Sequence, residues 1–334
     1  MRIRELEKFE QQARAILTLL PPVGRTPQVI EHMGGRIVVA DYVDCPAGFH
    51  LRESLVVRGR FACGTGSIFA GPVYCGGDFS AGKGSRFEAV SAGGRMTLGP
   101  GVRVEQVAHS RRQMELRAGA WVGEAVSEEG IRLGQEAGGG RLFAPEMETL
   151  GRLAELDEGP PVSSYYELGP PHAGGAAGLD GAAGFRRGWL SALGEETWVY
   201  EGNLNLRLPL LLRAKLVVRG WFRCVAGSLL EEDVKSGGTL HVGAGSICRG
   251  DLISLSGLTL DEGCLFAGRL KARGELRLCA GVRGFRRDGP VEVASGAAAI
   301  LEPNVVVRGR LSAGAGVRQQ MAEAGSGLDQ LRSG

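Results

Sequence analysis

Apolar residues recur along the C-terminal half of this chain in a strict register. Leu240, Leu258 and Leu276 are 18 residues apart; Val242, Leu260 and Leu278 follow two residues later, and Gly245, Gly263 and Gly281 three after that. Ile247 and Leu265 keep the spacing, as do Leu252 and Leu270, and Val291, Val293 and Gly296 read as the same unit after a shorter coil. In the N-terminal half the period is 17. Residues 74–90 and 91–107 align Phe79 with Met96, Ala81 with Leu98, Gly82 with Gly99, Gly84 with Gly101, Phe87 with Val104 and Val90 with Val107. The next coil carries Met114, Leu116, Gly119 and Val122.

The unit is apolar-x-apolar-x-x-Gly-x-apolar. Alternation describes a strand with one face buried, and the glycine supplies the positive φ of a corner. A chain that returns to the same place every 17 or 18 residues is a coil. No coil buries its apolar face alone, so coils must stack, with equivalent side chains in ladders. The pattern predicts an all-β protein of parallel β-helix type. A sandwich would need longer strands and less regular spacing, and a propeller a period near about 40. A left-handed hexapeptide helix is the rival, because Leu252 and Leu258, like Leu270 and Leu276, sit six apart. Ser246, Cys264 and the 17-residue coils fit sixes poorly, which favours a non-hexad β-helix.

Two stretches change period. Residues 3–20 place Ile3, Leu6, Phe9, Ala13, Ile16, Leu17 and Leu20 on one helical face, ending at Pro21-Pro22. Residues 145–157 place Met147, Leu150, Leu153 and Leu156 three apart, which predicts a short amphipathic helix. Either helix is suited to covering an open β-helix end, where unpaired edges invite polymerisation. A membrane-surface anchor and a free tail are the other readings of the N-terminal segment. Residues 159–188 are rich in Gly, Pro and Ala and read as a linker.

The chain is also duplicated. LVVRGRFACGTGS at 55–67 matches LVVRGWFRCVAGS at 216–228 without a gap, at an offset of 161. The same offset pairs Gly76-Gly77 with Gly237-Gly238, Gly82 with Gly243, Gly84 with Gly245 and Ser85 with Ser246. A third VVRG, Val306–Gly309, reads as a further coil. The expected organisation is a helix and lead-in (1–33), a first β-helix (34–145), a short helix and linker (146–189), a second β-helix (190–316) and a tail (317–334).

Composition fits this picture: 55 of 334 residues are glycine, and aromatics are only 6%. That suits short strands and tight corners better than a helical core.

Short coils with glycine corners and entries such as LVVRG resemble bactofilins, the polymer-forming cytoskeletal proteins of bacteria, over residues of about 34–145 and 190–316. The resemblance implies a right-handed, roughly triangular β-helix, end-to-end filament assembly without nucleotide, and scaffolding roles in cell shape or envelope organisation. Typical bactofilins carry one β-helix with disordered tails, whereas this chain carries two and adds flanking helices.

Net charge is +2, with 37 acids balancing 39 Lys and Arg scattered along the chain. This gives no support for nucleic-acid binding. Seven cysteines (Cys45, Cys63, Cys75, Cys224, Cys248, Cys264, Cys279) show no CxxC spacing and read as small core residues in a reducing compartment. The N-terminus has no signal-peptide pattern, and the run Ile16–Leu20 is too short to span a bilayer. A cytoplasmic protein is expected, with peripheral membrane association as an open alternative.

Of the histidines His32, His50, His109, His172 and His241, none lies near another at ligand spacing. His109 and His241 lie within coils and are the only candidates for an acyl-transfer base or metal ligand, against a surface or corner role. Gly64-Thr65-Gly66 and Gly82-Lys83-Gly84 lack a phosphate-loop context and fall where corners are due. Cys63 and Cys224 hold equivalent ladder positions, which argues for packing. The reading is a non-enzymatic structural protein with no catalytic, cofactor or metal site. It is expected to self-associate, with a protein or envelope partner as an open alternative. The competing functions are a left-handed β-helix acyltransferase and a binding module for a protein or polysaccharide.

Overall fold

The computed structural model describes residues 3–24, 26–32, 35–149, 166–171, 185–286 and 288–320. They form a β-solenoid of about 14 turns with one helix, α1 (Ile3–Leu19). Each coil has three short strands that turn three walls. The first wall runs through Ser54–Val57, Val73–Cys75 and Val90–Ala92, the second through Phe61–Cys63, Phe79–Ala81 and Met96–Leu98, and the third through Ile68–Phe69 and Arg86–Phe87. Neighbouring coils pair in parallel.

The ladders follow the sequence register. Leu240 pairs with Leu258 and Leu258 with Leu276, and all three are buried. Phe79 pairs with Met96, Ala81 with Leu98 and Phe87 with Val104. Stacking also brings like rings together, Phe61 on Phe79 at 4.6 Å and Phe69 on Phe87 at 4.9 Å. The corners repeat with equal strictness: Gly66, Gly84, Gly101 and Gly119 all have φ between 65° and 70°. That left-handed conformation costs an L side chain about 1–2 kcal/mol. In the last coil of each half Glu136 (φ 56°) and Asn304 (φ 62°) take this corner in the same conformation.

The duplication is structural as well. Strands 54–57, 61–63, 68–69, 73–75 and 79–81 recur at 215–218, 222–224, 229–230, 234–236 and 240–242. Each half also opens with an antiparallel hairpin, Gln28–His32 on Gly35–Ala40 and Leu190–Leu193 on Thr197–Tyr200. In the first half the strand Gln28–His32 lies ahead of residue 34, within the expected lead-in.

Four expectations need correction. Val90 pairs with Ala108, not Val107, because an irregularity between Val104 and Val107 adds one residue to that coil. Val293 pairs with Leu270, 23 residues away, so that coil is longer than its neighbours, not shorter. Val291 and Val293 mimic the Leu276–Leu278 pattern because both pairs are buried alternating positions. The third VVRG does lie in a further coil, but Val306 pairs with Arg283 on the third wall, whereas Val56 lies on the first. Lastly, residues up to Thr149 of the expected 145–157 helix belong to a long strand, Gly138–Thr149, in which Met147 is buried against Val307. Leu150, Leu153 and Leu156 lie outside the described residues, as do most of the linker and the tail beyond 320.

The two halves meet at their C-terminal ends. Gly138–Thr149, the last coil of the first half, runs antiparallel to Val306–Gln319, the last of the second. Leu142 lies opposite Leu311 and Met147 opposite Val307, so one apolar core continues through both halves. Thr149 Oγ1 donates to Glu302 O (2.7 Å), and Val305 N donates back to Thr149 Oγ1 (2.7 Å). Arg308 pairs with Glu146 at 3.0 Å. The strand edges that a solenoid leaves at its C-terminus are thereby satisfied within the chain.

Candidate functional site

Three places carry features beyond packing: the bed of α1, the thiol and serine ladders, and the N-terminal ends of the two halves.

Helix α1 lies along the flank of the first half, not over an end as its amphipathic pattern suggested. Its residues Leu6, Phe9, Ala13 and Ile16 are buried against Ile37, Val39, Val56, Tyr74, Ala89 and Val107, which come from successive coils. The end-capping expectation failed because helical periodicity reveals a face, not what the face meets. The outward residues of the first wall supply the bed: Val39, Val56, Tyr74, Ser91 and His109 are consecutive ladder partners.

Glu10 is buried at the centre of this contact. Ser91 Oγ donates to Glu10 Oε1 (2.5 Å), and His109 Nδ1 lies 2.6 Å from the same oxygen. Arg14 pairs with Glu10 Oε2 at 3.1 Å and donates from Nε to the Tyr74 hydroxyl at 3.3 Å. Burial pushes the Glu10 carboxyl up, but hydrogen bonds from His109 and Ser91, with the nearby charges, outweigh it and hold the group below its usual value of 4.5. The helix C-terminus is held by Arg58, which donates to Leu17 O (2.7 Å) and Leu20 O (2.9 Å) and pairs with Asp41 (3.2 Å). These bonds satisfy carbonyls that every helix end leaves open.

Of the two candidate histidines, His109 is therefore a part-buried interface residue. The trio contains serine, histidine and carboxylate, yet both serine and histidine turn to the carboxylate. A nucleophilic serine needs the imidazole as its base, and Ser91 is 1% exposed. His241 stands on the second wall with Nε2 2.7 Å from Asp261 Oδ2, both partly exposed. His32 and His50 lie far along the chain in the first coils, and His172 is outside the described residues. Among the described residues no group of three or more metal-ligating side chains is brought together. Sequence reasoning missed Glu10, Ser91 and Arg58; Glu10 looked like one more polar residue in a mixed-charge helix.

The cysteines behave as ladder residues. Cys63 stacks on Ala81 in one half, and Cys224 on Val242 in the other. Cys75 donates to Gly59 O at 2.9 Å, just as Ser236 at the equivalent position donates to Gly220 O at 2.8 Å. Burial raises the Cys75 and Cys224 thiols to about 11, away from the thiolate form. The glycine strings are corners: Gly66 and Gly84 have φ of 70° and 68°, and a Cβ on Gly82 would lie 2.5 Å from Gly64 C.

The N-terminal ends differ. In the second half Leu204, Leu206 and Leu210 are buried, at most 1% exposed. Tyr166–Leu168 adds a strand over Leu210–Leu212, Trp198 Nε1 donates to Gly169 O (2.8 Å), and Phe185 stacks on Tyr200 at 5.6 Å. The equivalent residues of the first half, Val43, Cys45 and Phe49, are only partly buried, and Tyr42 beside them is 51% exposed. Among the described residues, strand Val43–Cys45 pairs on one side only, with Phe61–Cys63.

The class defined by these features is a two-part β-solenoid whose halves are fused C-terminus to C-terminus, with a helix strapped to one flank. Comparison of the chain with family models, with curated proteins and with solved structures finds no match among any of them. No helix among the described residues is long and apolar enough to cross a membrane.

Proposed function

We propose that the chain is a non-enzymatic structural scaffold that self-associates through the open N-terminal end of its first half. One observation carries the reading: Val43, Cys45 and Phe49 are part-exposed where their counterparts Leu204, Leu206 and Leu210 are buried. An apolar coil end with an unpaired edge is a template for another such end. Two copies meeting there would form an isologous contact and repeat the end-to-end principle that joins the halves within one chain. The resemblance to bactofilins agrees with such a role. A single open end gives a dimer of double length; growth into filaments requires the second half's end to uncover as well.

Sedimentation velocity on the purified chain over a wide concentration range, with negative-stain images of the larger species, tests this. The expected result is concentration-dependent association without nucleotide, abolished by Phe49→Asp while the solenoid still folds. A strict monomer at every concentration would sink the proposal. Loss of a transferase activity on His109→Ala, with α1 still docked, would favour the enzyme reading instead.

A further inference from the structure

The second half repeats the bed of α1 with no helix of the described residues on it. Its outward first-wall ladder runs Val199, Val217, Lys235, Ile253 and Lys271. By ladder position Val217 stands for Val56, Lys235 for Tyr74, Ile253 for Ser91 and Lys271 for His109. Val217, Ile253 and Leu255 line a groove of about 390 Å³, and Leu255 is 61% exposed.

The residue that holds the end of α1 is repeated too. Arg219 is the duplicate of Arg58 at the 161-residue offset. Arg58 reaches two terminal helix carbonyls and is 32% exposed, whereas Arg219 is 65% exposed, with a 3.7 Å contact to Glu201.

The charge pattern selects the occupant. On the first half, Arg14 of α1 sits over Tyr74, with its guanidinium 5.9 Å from the ring centre. The same helix on the second half would bring Arg14 onto Lys235, cation against cation. A carboxylate at that place would instead meet Lys235, and one at the place of Glu10 would meet Lys271. From this we infer that the outer face around Val217, Ile253 and Leu255 is a docking site for an amphipathic helix of another protein, with acidic residues along its rim and its C-terminus over Arg219. The inference stands apart from the scaffold reading, because it concerns the flank of the second half and not the end of the first.

Fluorescent peptides of residues 1–22, one native and one carrying Arg14→Glu, are titrated into the full-length protein and followed by anisotropy. The Arg14→Glu peptide is expected to bind about tenfold or more tightly than the native one, which corresponds to about 1.4 kcal/mol. Lys235→Glu in the protein should reverse that preference, and Arg219→Ala or Leu255→Asp should each weaken binding several-fold. All three positions are on the outer surface, and an unchanged melting curve verifies folding. Equal binding of the two peptides overturns the inference, as does no binding of the Arg14→Glu peptide at about 1 mM. Binding that survives both Arg219→Ala and Leu255→Asp overturns it as well, since the peptide would then be exchanging with α1 on the first half. Self-association that is lost on Arg219→Ala but kept on Phe49→Asp would assign the face to a second copy and overturn the partner assignment.

Discussion

Leu142 and Leu311 face each other across antiparallel strands from the last coils of the two halves, and both are fully buried. Apart from the two opening hairpins, every other strand pairing among the described residues is parallel; this junction reverses the direction of the solenoid. Because the core is continuous through it, the halves are expected to unfold together. Leu311→Ala should cost about 2–5 kcal/mol, the range for a buried leucine truncated in a tight core. Differential scanning calorimetry should give one transition before and after the change. Two resolved transitions in the unaltered protein would show that the junction does not couple the halves.

Leu258 lies between Leu240 and Leu276 in the middle of the second half's ladder. Leu258→Asp places a lone carboxylate among apolar neighbours and should unfold the second half and, through the shared core, the first with it, because an unpaired buried charge costs several kcal/mol. Circular dichroism would show loss of β signal at ambient temperature. An unchanged melting profile would mean that position 258 faces outward.

The ladders were legible because each coil repeats the same demands: two alternating apolar residues and a glycine corner. Leu240, Leu258 and Leu276 could be read by spacing alone. The register was lost where a coil changes length, at the irregularity after Val104 and at the 23-residue coil before Val293, since periodic reading assumes a constant period. The junction left no repeat signal either. Strands 138–149 and 306–319 are far apart in sequence, and their pairing depends on edges that only folding creates. The seat of α1 was hidden for a different reason. Its bed is made of outward residues such as Val56 and Tyr74, which look like ordinary surface positions until a helix covers them.

Glu10 should make the seating of α1 sensitive to acid. A carboxyl held below its ordinary value in the folded state contributes stability that is present above the unfolded value. That contribution is lost as pH falls through the folded value. For Glu10 the loss therefore sets in below about 4.5, its usual value. Glu10→Gln should weaken docking at neutral pH and remove this acid sensitivity. Hydrogen exchange of the α1 amides, measured against amides of Leu258–Leu260, should show α1 opening first as pH drops. Equal protection of α1 in Glu10→Gln and the unaltered protein would show that the carboxylate contributes nothing to docking.

Arg58 offers an independent handle on the same helix. Arg58→Ala removes the donors to Leu17 O and Leu20 O and the pairing with Asp41. Hydrogen bonds from a charged donor contribute about 1.5–3 kcal/mol each at most, and partial exposure lowers that here. Faster exchange or proteolysis at residues 14–20 is expected, with the melting temperature of the coils nearly unchanged. A large drop in melting temperature would instead make α1 part of the cooperative core.

Cys75 and Cys248 are both buried thiols, yet serine should be tolerated at one and not at the other. Cys75 occupies a ladder row that holds Ser110 and Ser127 further along the first half, and its sulfur already donates to Gly59 O, as Ser236 does to Gly220 O in the second. Cys75→Ser therefore finds an acceptor in place and should cost less than about 1 kcal/mol. Cys248 lies between Leu230 and Phe266 in the third-wall ladder, fully buried among apolar side chains. A hydroxyl moved there from water without a partner costs about 1–3 kcal/mol. Chemical denaturation of the two variants should separate them by that margin, with Cys248→Ser the less stable. Equal losses would mean that the shared acceptor geometry of Cys75 and Ser236 does not govern which polar groups this core accepts.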